Sequence, residues 1–378
     1  MDEDGGSTGD EEIKKFNAEI MSGKASDLIC LEGLPYKNYI DKNTFVDISE
    51  IIRNDSTFDI SQFYTNIIEA CKYKGTLYAM PVSFSFDAVM VDKALTDGQG
   101  IRLEDSWTWE VFAEAALKLV RDNNGDGKTD IYGVAKTDPL KLFDYIFSSR
   151  IKQFIDIENK QCHFDSEEFV KMLEMTKALS NKETMHTKLD FNTLFDGESS
   201  RGTIGFNPVD DMSAFYYTTL KYMMGDKAEV LAMPLGSEKG LRTFDATMYA
   251  INNNSKLKEE AWAFIKFLIS DDALDSYNTI NKNASENMMK EMMKVEYSCT
   301  SFITADSGEM KAIISESLTN KQFEQMKSII SSLGQLNEYN LQLKSIMEGE
   351  LKAYLSNQRS AKDVAKLIQN RVNIYLNE

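Results

Sequence analysis

Short apolar segments with strand-like patterning recur along the chain, and longer segments with helical spacing lie between them. The strand candidates are residues 27–31, 77–81, 84–91, 131–135, 202–206, 230–234 and 244–251. The helix candidates are 107–120, a segment that starts at Asp165, 256–269, and nearly all of the chain from Ser285 to Leu376. Because short strands that alternate with helices are typical of α/β proteins, we expect an α/β fold with a helical C-terminal third.

Two of the five prolines belong to a repeated pattern. Residues 77–81 and 230–234 are short apolar segments that end in proline, which cannot donate to a sheet ladder, and a second strand-like segment follows each of them. No Gly/Ser-rich linker separates independent domains, so we expect two lobes that the chain crosses between near Val91 and near Tyr249. The predicted lobes are 1–91 with 252–300, and 92–251 with 301–378.

The acidic composition restricts the choice of partner. The formal charge of −18 repels nucleic acid and anionic membranes, and it gives no electrostatic steering toward phosphorylated ligands. A neutral ligand suits this charge best. The sequence has no apolar run of about 18 residues that predicts a transmembrane helix, and its polar, Gly-rich start differs from a signal peptide. We therefore expect any export signal to have been removed from this chain.

Motifs for covalent or metal chemistry are missing from the sequence. It contains no G-x-S-x-G, H-E-x-x-H or phosphate-binding loop, and its four cysteines show no C-x-x-C spacing. Paired carboxylates such as Asp210 and Asp211 are compatible with a glycosidase, but such pairs arise by chance among 60 acidic residues. We expect a protein that is not an enzyme and that requires no cofactor.

An acidic loop at residues 122–130 has the spacing of a calcium-binding loop. Oxygen-bearing side chains stand at its positions 1, 3, 5 and 9 and glycine at position 6, but position 12 is Gly133 and not the usual glutamate. The candidate ligands are Asp122, Asn124, Asp126, Lys128 and Asp130. The loop therefore predicts either a structural calcium site or an ordinary Asx/Gly turn between a helix and a strand.

Four segments resemble the family 1 extracellular solute-binding proteins of bacterial ABC importers. They are residues 16–29, 75–81, 107–133 and 259–268. Their order and spacing carry the resemblance more than any one of them. It implies a two-lobed, type II periplasmic-binding-protein-like fold with a hinge, and a ligand held in the cleft between the lobes. It also implies a monomeric, extracellular, lipid-anchored protein that delivers its ligand to the membrane permease of an ABC importer.

The start of the chain departs from the family pattern. Family members begin with a strand that lies centrally in the sheet of the first lobe, and no segment before Glu11 supplies this strand. We therefore expect the first strand of lobe one to be absent from this chain. Either the chain is trimmed, or it is the latter part of a longer protein, or another segment fills the gap.

Aromatic and polar residues at the predicted strand ends are the candidates for ligand binding. A sugar presents apolar C–H faces to aromatic rings and hydroxyl groups to carboxylate and amide side chains. The predicted ligand-binding residues are Glu32, Tyr36, Ser83, Phe84, Phe86, Trp107, Trp109, Phe206, Asn207 and Asp245. The competing role is core packing for each aromatic residue and a cap or turn for each polar residue. We assign Trp262 to the core, because its helix is almost entirely apolar and is expected to be buried.

The sequence thus predicts a solute-binding protein that captures a mono- or oligosaccharide. The competing ligands are a peptide, a polyamine and a metal chelate, and the negative charge suits a cationic solute. Two further functions compete with solute binding, namely a glycosidase activity and the role of a scaffold module within a longer protein.

Overall fold

The computed structural model describes residues 8–187, 202–225, 227–271, 278–294, 300–304, 310–314 and 316–377. Contacts divide the chain into two compact units. Unit 1 comprises the chain up to Ser85 together with Thr243–Met288 and Leu333–Ser345, and unit 2 comprises Phe86–Arg242, Met289–Ser332 and the chain from Ile346 onward. The lobe boundaries drawn from the sequence stay a prediction beside this division.

Helices and strands alternate through most of the described chain, which confirms the mixed α/β class. The helices are α1 (Thr8–Met21), α2 (Tyr36–Ile40), α3 (Ile48–Asn54), α4 (Thr65–Ala70), α5 (Lys93–Gly98), α6 (Trp109–Leu119), α7 (Pro139–Phe154), α8 (Glu167–Leu179), α9 (Ala214–Met224), α10 (Lys258–Leu268), α11 (Lys282–Glu291), α12 (Asn320–Ser332), α13 (Leu341–Leu355) and α14 (Ala361–Asn377). The strands are β1 (Leu28–Cys30), β2 (Ala79–Ser85), β3 (Ala88–Asp92), β4 (Tyr132–Val134), β5 (Ile155–Asp156), β6 (Gln161–Cys162), β7 (Ile204–Val209), β8 (Ala228–Ala232), β9 (Arg242–Ile251), β10 (Thr300–Thr304), β11 (Met310–Ile314) and β12 (Leu333–Leu336).

Side-chain caps explain where several helices begin. Asp92 accepts hydrogen bonds from two backbone N–H groups in the first turn of α5, and Asp138 accepts one at the start of α7, where proline is the first helical residue. The helix predicted to open at Asp165 begins one residue later, because Ser166 is the residue whose side chain accepts the N–H of Phe169. These polar residues satisfy backbone donors that the helix itself leaves unpaired.

The sheet of unit 1 is built around the long strand β9. Strands β1 and β2 both pair with it in the antiparallel sense, and β12 joins the same sheet. Buried side chains of this unit include Ile67, Met80 and Ile251. The assignment of Trp262 to the core is confirmed, since its side chain is buried and its indole N–H donates to Asp55 over 2.9 Å.

The sheet of unit 2 has the strand order β4-β7-β3-β8. Strand β4 runs parallel to β7, whereas β3 runs antiparallel to both β7 and β8. A cluster of phenylalanine rings fills the core beside α7 and α8, with ring centroids 5.0 to 6.4 Å apart. The cluster consists of Phe143, Phe147, Phe154, Phe164 and Phe169.

Three expectations about local structure were wrong. Strand β2 does not stop at Pro81 but continues to Ser85, because a register shift between Pro81 and Ser83 accommodates the missing N–H. Helix α10 is buried on one side only, and Phe264 and Phe267 on its other side are 49% and 52% exposed. The C-terminal third is not purely helical, since β10 pairs with β11 and β12 belongs to the sheet of unit 1.

None of the described helices has the combination of length and apolar composition that crossing a membrane requires.

Gly133 in β4 allows the close approach of helix α6. A Cβ atom at this position would lie 2.3 Å from the carbonyl oxygen of Ala116 and 2.7 Å from its carbonyl carbon. Both atoms belong to the backbone of α6, so they cannot move aside as a flexible side chain would. Position 133 is therefore glycine for a packing reason.

We predict that Gly133→Ala destabilises the protein by about 3 kcal/mol, because the methyl group forces the helix away from the sheet. The matched control is Gly98→Ala at the end of α5, where no atom lies within 4 Å of the added Cβ. This control should change the free energy of unfolding by less than about 1 kcal/mol. Urea unfolding measures both values, and equal values for the two variants would contradict the packing argument.

Candidate functional site

Strand direction gathers polar residues at one edge of the unit 1 sheet. Because β1 and β2 are both antiparallel to β9, their carboxyl ends lie where β9 begins. Glu32 follows β1 by two residues, and the pairing of Ser85 with Asp245 places the end of β2 beside the first part of β9. The structure thus brings Glu32, Ser83, Phe84 and Asp245 to a common edge.

Hydrogen bonds from the segment after β12 complete this edge. The Asn337 side-chain amide donates to Asp245 over 3.0 Å, and the Lys37 ammonium pairs with Glu338 over 2.7 Å. Burial, followed by the nearby charge of Glu338, raises the pKa of Tyr36 far above its usual value. The Tyr36 hydroxyl is therefore protonated at every physiological pH.

Strand direction also brings residues together at one edge of the unit 2 sheet. The carboxyl ends of β4, β7 and β8 lie at the edge where β3 begins, because β3 is antiparallel to β7 and β8. Asp87 precedes β3, and Asp210 and Asp211 follow β7. In open α/β sheets, ligands bind outside the carboxyl ends of the strands. We therefore take this edge as the candidate site of unit 2.

Asp210 is held by two donors from the first turns of α7. Its Oδ1 atom accepts the hydroxyl of Tyr145 over 2.7 Å and pairs with the Lys141 ammonium over 2.7 Å. The Lys141 Nζ atom also lies 4.9 Å from the centroid of the Tyr145 ring. Burial lowers the pKa of Lys141, but the hydrogen bond and charge of Asp210 outweigh this effect, so the pKa lies above its usual value. Lys141 is therefore a permanent counter-ion of Asp210.

The loop after β7 is fixed by the residues that precede β3. Asp211 adopts a positive φ of 48°, and its backbone N–H donates to Asp87 Oδ1 over 3.3 Å. The N–H of Met212 donates to the carbonyl oxygen of Phe86 over 2.7 Å. Burial, followed by the charges of Asp211 and Asp210, raises the pKa of the half-buried Tyr216. The Tyr216 hydroxyl therefore lies near the negative charge of both carboxylates.

The predicted aromatic platforms lie inside the two units. The Trp107 indole donates to the carbonyl of Ala232 and the Trp109 indole to Ser149, each over 3.0 Å. Phe206 packs against Phe112, with their ring centroids 5.1 Å apart. The side chains buried in this way are those of Phe84, Phe86, Trp107, Trp109 and Phe206. Their contact with ligand stays a prediction, and their burial favours a role in the core.

The predicted polar residues differ in their exposure to solvent. Glu32 and Asp245 are exposed, Ser83 is partly exposed, and Asn207 is buried. The side-chain nitrogen of Asn207 has no hydrogen-bond partner within the described part of the chain. A buried amide nitrogen without an acceptor costs stability, because it has lost its hydrogen bonds to water. Contact of Asn207 with ligand stays a prediction.

Sequence reasoning missed Lys141 and Tyr145 and considered Asp210 only as one of a pair of carboxylates. The available signal was the place of Asp210 directly after a strand. No sequence signal joins Asp210 to Tyr145, because 65 residues separate the two partners.

The acidic loop is tied together by its own backbone. Asp122 Oδ1 accepts the N–H of Gly125 over 2.6 Å and Oδ2 accepts that of Gly127 over 2.8 Å, while Asp130 accepts the N–H of Asn123. The N–H groups of Gly127 and Gly125 lower the pKa of Asp122. Within the described ranges no three His, Cys, Asp or Glu side chains form a group that could hold a metal. Calcium binding by Asp122, Asn124, Asp126, Lys128 and Asp130 stays a prediction.

Three of the four cysteines, Cys30, Cys71 and Cys162, have free thiols. Cys299 lies outside the described residues.

Comparison with known proteins identifies a family. A family model described as bacterial extracellular solute-binding protein matches residues 3–275 of the 378-residue chain. A search of curated proteins finds no match.

Solved structures share the fold. An ABC substrate-binding protein from Listeria monocytogenes in complex with cycloalternan is 16% identical, with a TM-score of 0.61 over 97% of this chain and 89% of that chain. The sugar-binding protein MalE from Xanthomonas citri is 14% identical, with a TM-score of 0.64 over 96% and 87%. A solute-binding protein from Agrobacterium vitis with bound D-mannitol is 16% identical, with a TM-score of 0.56 over 96% and 88%.

We predict that Asp122→Ala lowers the melting temperature in the presence of a chelator, because three backbone N–H groups lose their acceptor. The loop stabilisation should be complete near neutral pH and be lost on acidification through the lowered pKa of Asp122. Scanning calorimetry with calcium and with chelator measures the effect. If the variant melts at the wild-type temperature in chelator, the loop is not held by this carboxylate.

Proposed function

The chain belongs to the bacterial extracellular solute-binding proteins, and on that premise we propose that it captures a carbohydrate for an ABC importer. The observation that carries the proposal is the pair of sheet edges at which strand ends present exposed carboxylates, Asp245 in unit 1 and Asp210 in unit 2. Carboxylates that are already fixed by protein donors are suitable acceptors for sugar hydroxyl groups.

The charges at the two edges support an uncharged solute. The lysines that form ion pairs at these edges are Lys37, with Glu338, and Lys141, with Asp210. Neither lysine is therefore left to attract an anionic solute, and the carboxylates at these edges would repel it. Proteins of the same fold also support an uncharged solute. Their solved complexes hold cycloalternan and D-mannitol, which are both polyhydroxylated and uncharged.

We propose, as membership of the family implies, that the sugar is held in a cleft and that a hinge closes the protein on it. Contacts made only in the closed state would shift the population toward that state. A few hydrogen bonds and one or two aromatic contacts are sufficient for micromolar affinity, which corresponds to about −8 kcal/mol. Glu32, Ser83, Asn207 and Asp245 are the predicted polar contacts.

The remaining parts of the proposal follow from the family. The protein acts outside the cell, in a lipid-anchored form, as a monomer that delivers its solute to a membrane permease. It performs no catalysis and requires no cofactor. A structural calcium ion in the loop at residues 122–130 is a separate proposal, supported by the spacing of its oxygen-bearing side chains.

A cationic solute such as a polyamine is the second candidate. The observation in its favour is the density of carboxylates at the unit 2 edge, where Asp87, Asp144 and Asp210 all act on Lys141. A solute with several ammonium groups would be attracted by the same charges.

Calorimetric titration with D-mannitol, maltose, maltotriose, cycloalternan and spermidine tests the proposal. We expect at least one of the sugars to bind with micromolar affinity and spermidine not to bind. Binding should raise the melting temperature, since a ligand at 100 times its Kd adds about 2.7 kcal/mol of stability. Binding of spermidine alone would replace the carbohydrate by the cationic candidate, and no binding at all would contradict both.

A further inference from the structure

Asp210 uses only one of its two carboxylate oxygens within the protein. Both donors, the hydroxyl of Tyr145 and the ammonium of Lys141, approach Oδ1, and Oδ2 has no partner among the described residues. The side chain is 50% exposed. A half-exposed carboxylate with one occupied and one free oxygen is a fixed acceptor with spare capacity, because an ionised carboxylate accepts at both oxygens.

We propose that Asp210 is the residue with which unit 2 anchors the solute, through hydroxyl groups that donate to Oδ2, and that Lys141 and Tyr145 are positioning residues for it. This inference rests on the proposed function, because it assigns a residue to the sugar site.

The positions of the two donors explain why the carboxylate keeps one orientation. Lys141 and Tyr145 are four residues apart on α7, so they lie on the same face of the helix. Both reach the same oxygen over 2.7 Å, which fixes Oδ1 and thereby the direction of Oδ2. A preorganised acceptor loses less conformational freedom on binding than a mobile side chain does.

The backbone under Asp210 is fixed as well. The residues that follow it are tied to the segment before β3, through the N–H of Asp211 to Asp87 and the N–H of Met212 to Phe86. The residues that precede it belong to β7, which lies between β4 and β3 in the sheet. The residues before and after Asp210 therefore fix its backbone, and Lys141 and Tyr145 fix its carboxylate.

This arrangement selects the chemical class of the solute. The Lys141 ammonium is engaged by Asp210, and Asp87 and Asp144 add further negative charge around it. A carboxylate of a sugar acid would be repelled here, whereas a hydroxyl group donates to Oδ2 without a charge conflict. The site therefore takes neutral sugars or sugar alcohols and rejects the corresponding uronic acids.

Asp210→Asn tests the anchor, because it keeps the shape of the side chain and removes its charge. We expect the affinity for the best-binding sugar of the panel to fall about 10- to 100-fold, which is typical for loss of a charge-assisted hydrogen bond. The matched control is Asp97→Asn. Asp97 also pairs with a lysine in the same unit, Lys93, over 3.2 Å, but it follows the opposite end of β3. The control should bind like the wild type.

A double-mutant cycle tests the positioning residues. Tyr145→Phe removes one donor and keeps the ring, and Lys141→Met removes the other, so each should weaken sugar binding about 3- to 10-fold. On the Asp210→Asn background the same changes should have little further effect, because they act through Asp210. Lys141→Arg should restore most of the affinity, and Lys93→Met is the matched control for the lost cation. Purely structural roles would give additive losses.

Melting temperatures identify variants that fail to fold, and Asp210→Ser then replaces Asp210→Asn. The wild type alone supplies a second test, since it should bind the neutral sugar at least 10-fold more tightly than its uronic acid. If the wild type binds a sugar and folded Asp210 variants bind it equally well, the anchor is overturned while the proposed function stands. If the wild type binds the uronic acid as tightly as the sugar, the assigned class is wrong. If the wild type binds no sugar, both proposals fail.

Discussion

The rest of the site depends on the two-residue link between strands β2 and β3. Strand β2 ends at Ser85 and β3 begins at Ala88, so only Phe86 and Asp87 separate the last strand residue of one unit from the first of the other. Both link residues also bind the loop after β7, Phe86 through its carbonyl oxygen and Asp87 through its carboxylate. The link therefore connects the carboxyl end of β2 to the edge of the unit 2 sheet at which β7 ends, and it fixes the loop that carries Asp210.

Strand direction then decides which side chains can act together. In unit 1 the antiparallel strand β9 brings the ends of β1 and β2 to the same edge, and in unit 2 the antiparallel strand β3 leaves the ends of β4, β7 and β8 at the same edge. Glu32 and Asp210 cost little stability, because they follow β1 and β7 and lie outside the hydrogen-bonded ladder. The apolar residues within the strands, such as Val89 and Phe206, supply the cores.

The sequence predicted the fold class and most strands, because alternating apolar residues and turn residues are local signals. It failed where long-range pairing decides the outcome. Pro81 remains in β2 through a shift in its pairing with β9, and Leu333–Leu336 forms a strand only because β9 is available to pair with it. The polar residues at strand ends were recognisable for the same local reason. Lys141 and Tyr145 were not, since their partner Asp210 is brought to them only by the fold.

Hydrogen–deuterium exchange of the wild-type protein with and without a saturating sugar tests the central claim most directly. If the carboxyl edges of both sheets hold the solute, exchange slows in peptides that cover residues 32–36, 83–87, 210–216 and 243–247. The peptides at the opposite edge of the unit 2 sheet, residues 93–98 and 122–130, should exchange as before. Protection confined to that opposite edge, or unchanged exchange at residues 83–87 and 210–216 in a protein that binds the sugar, would contradict the account.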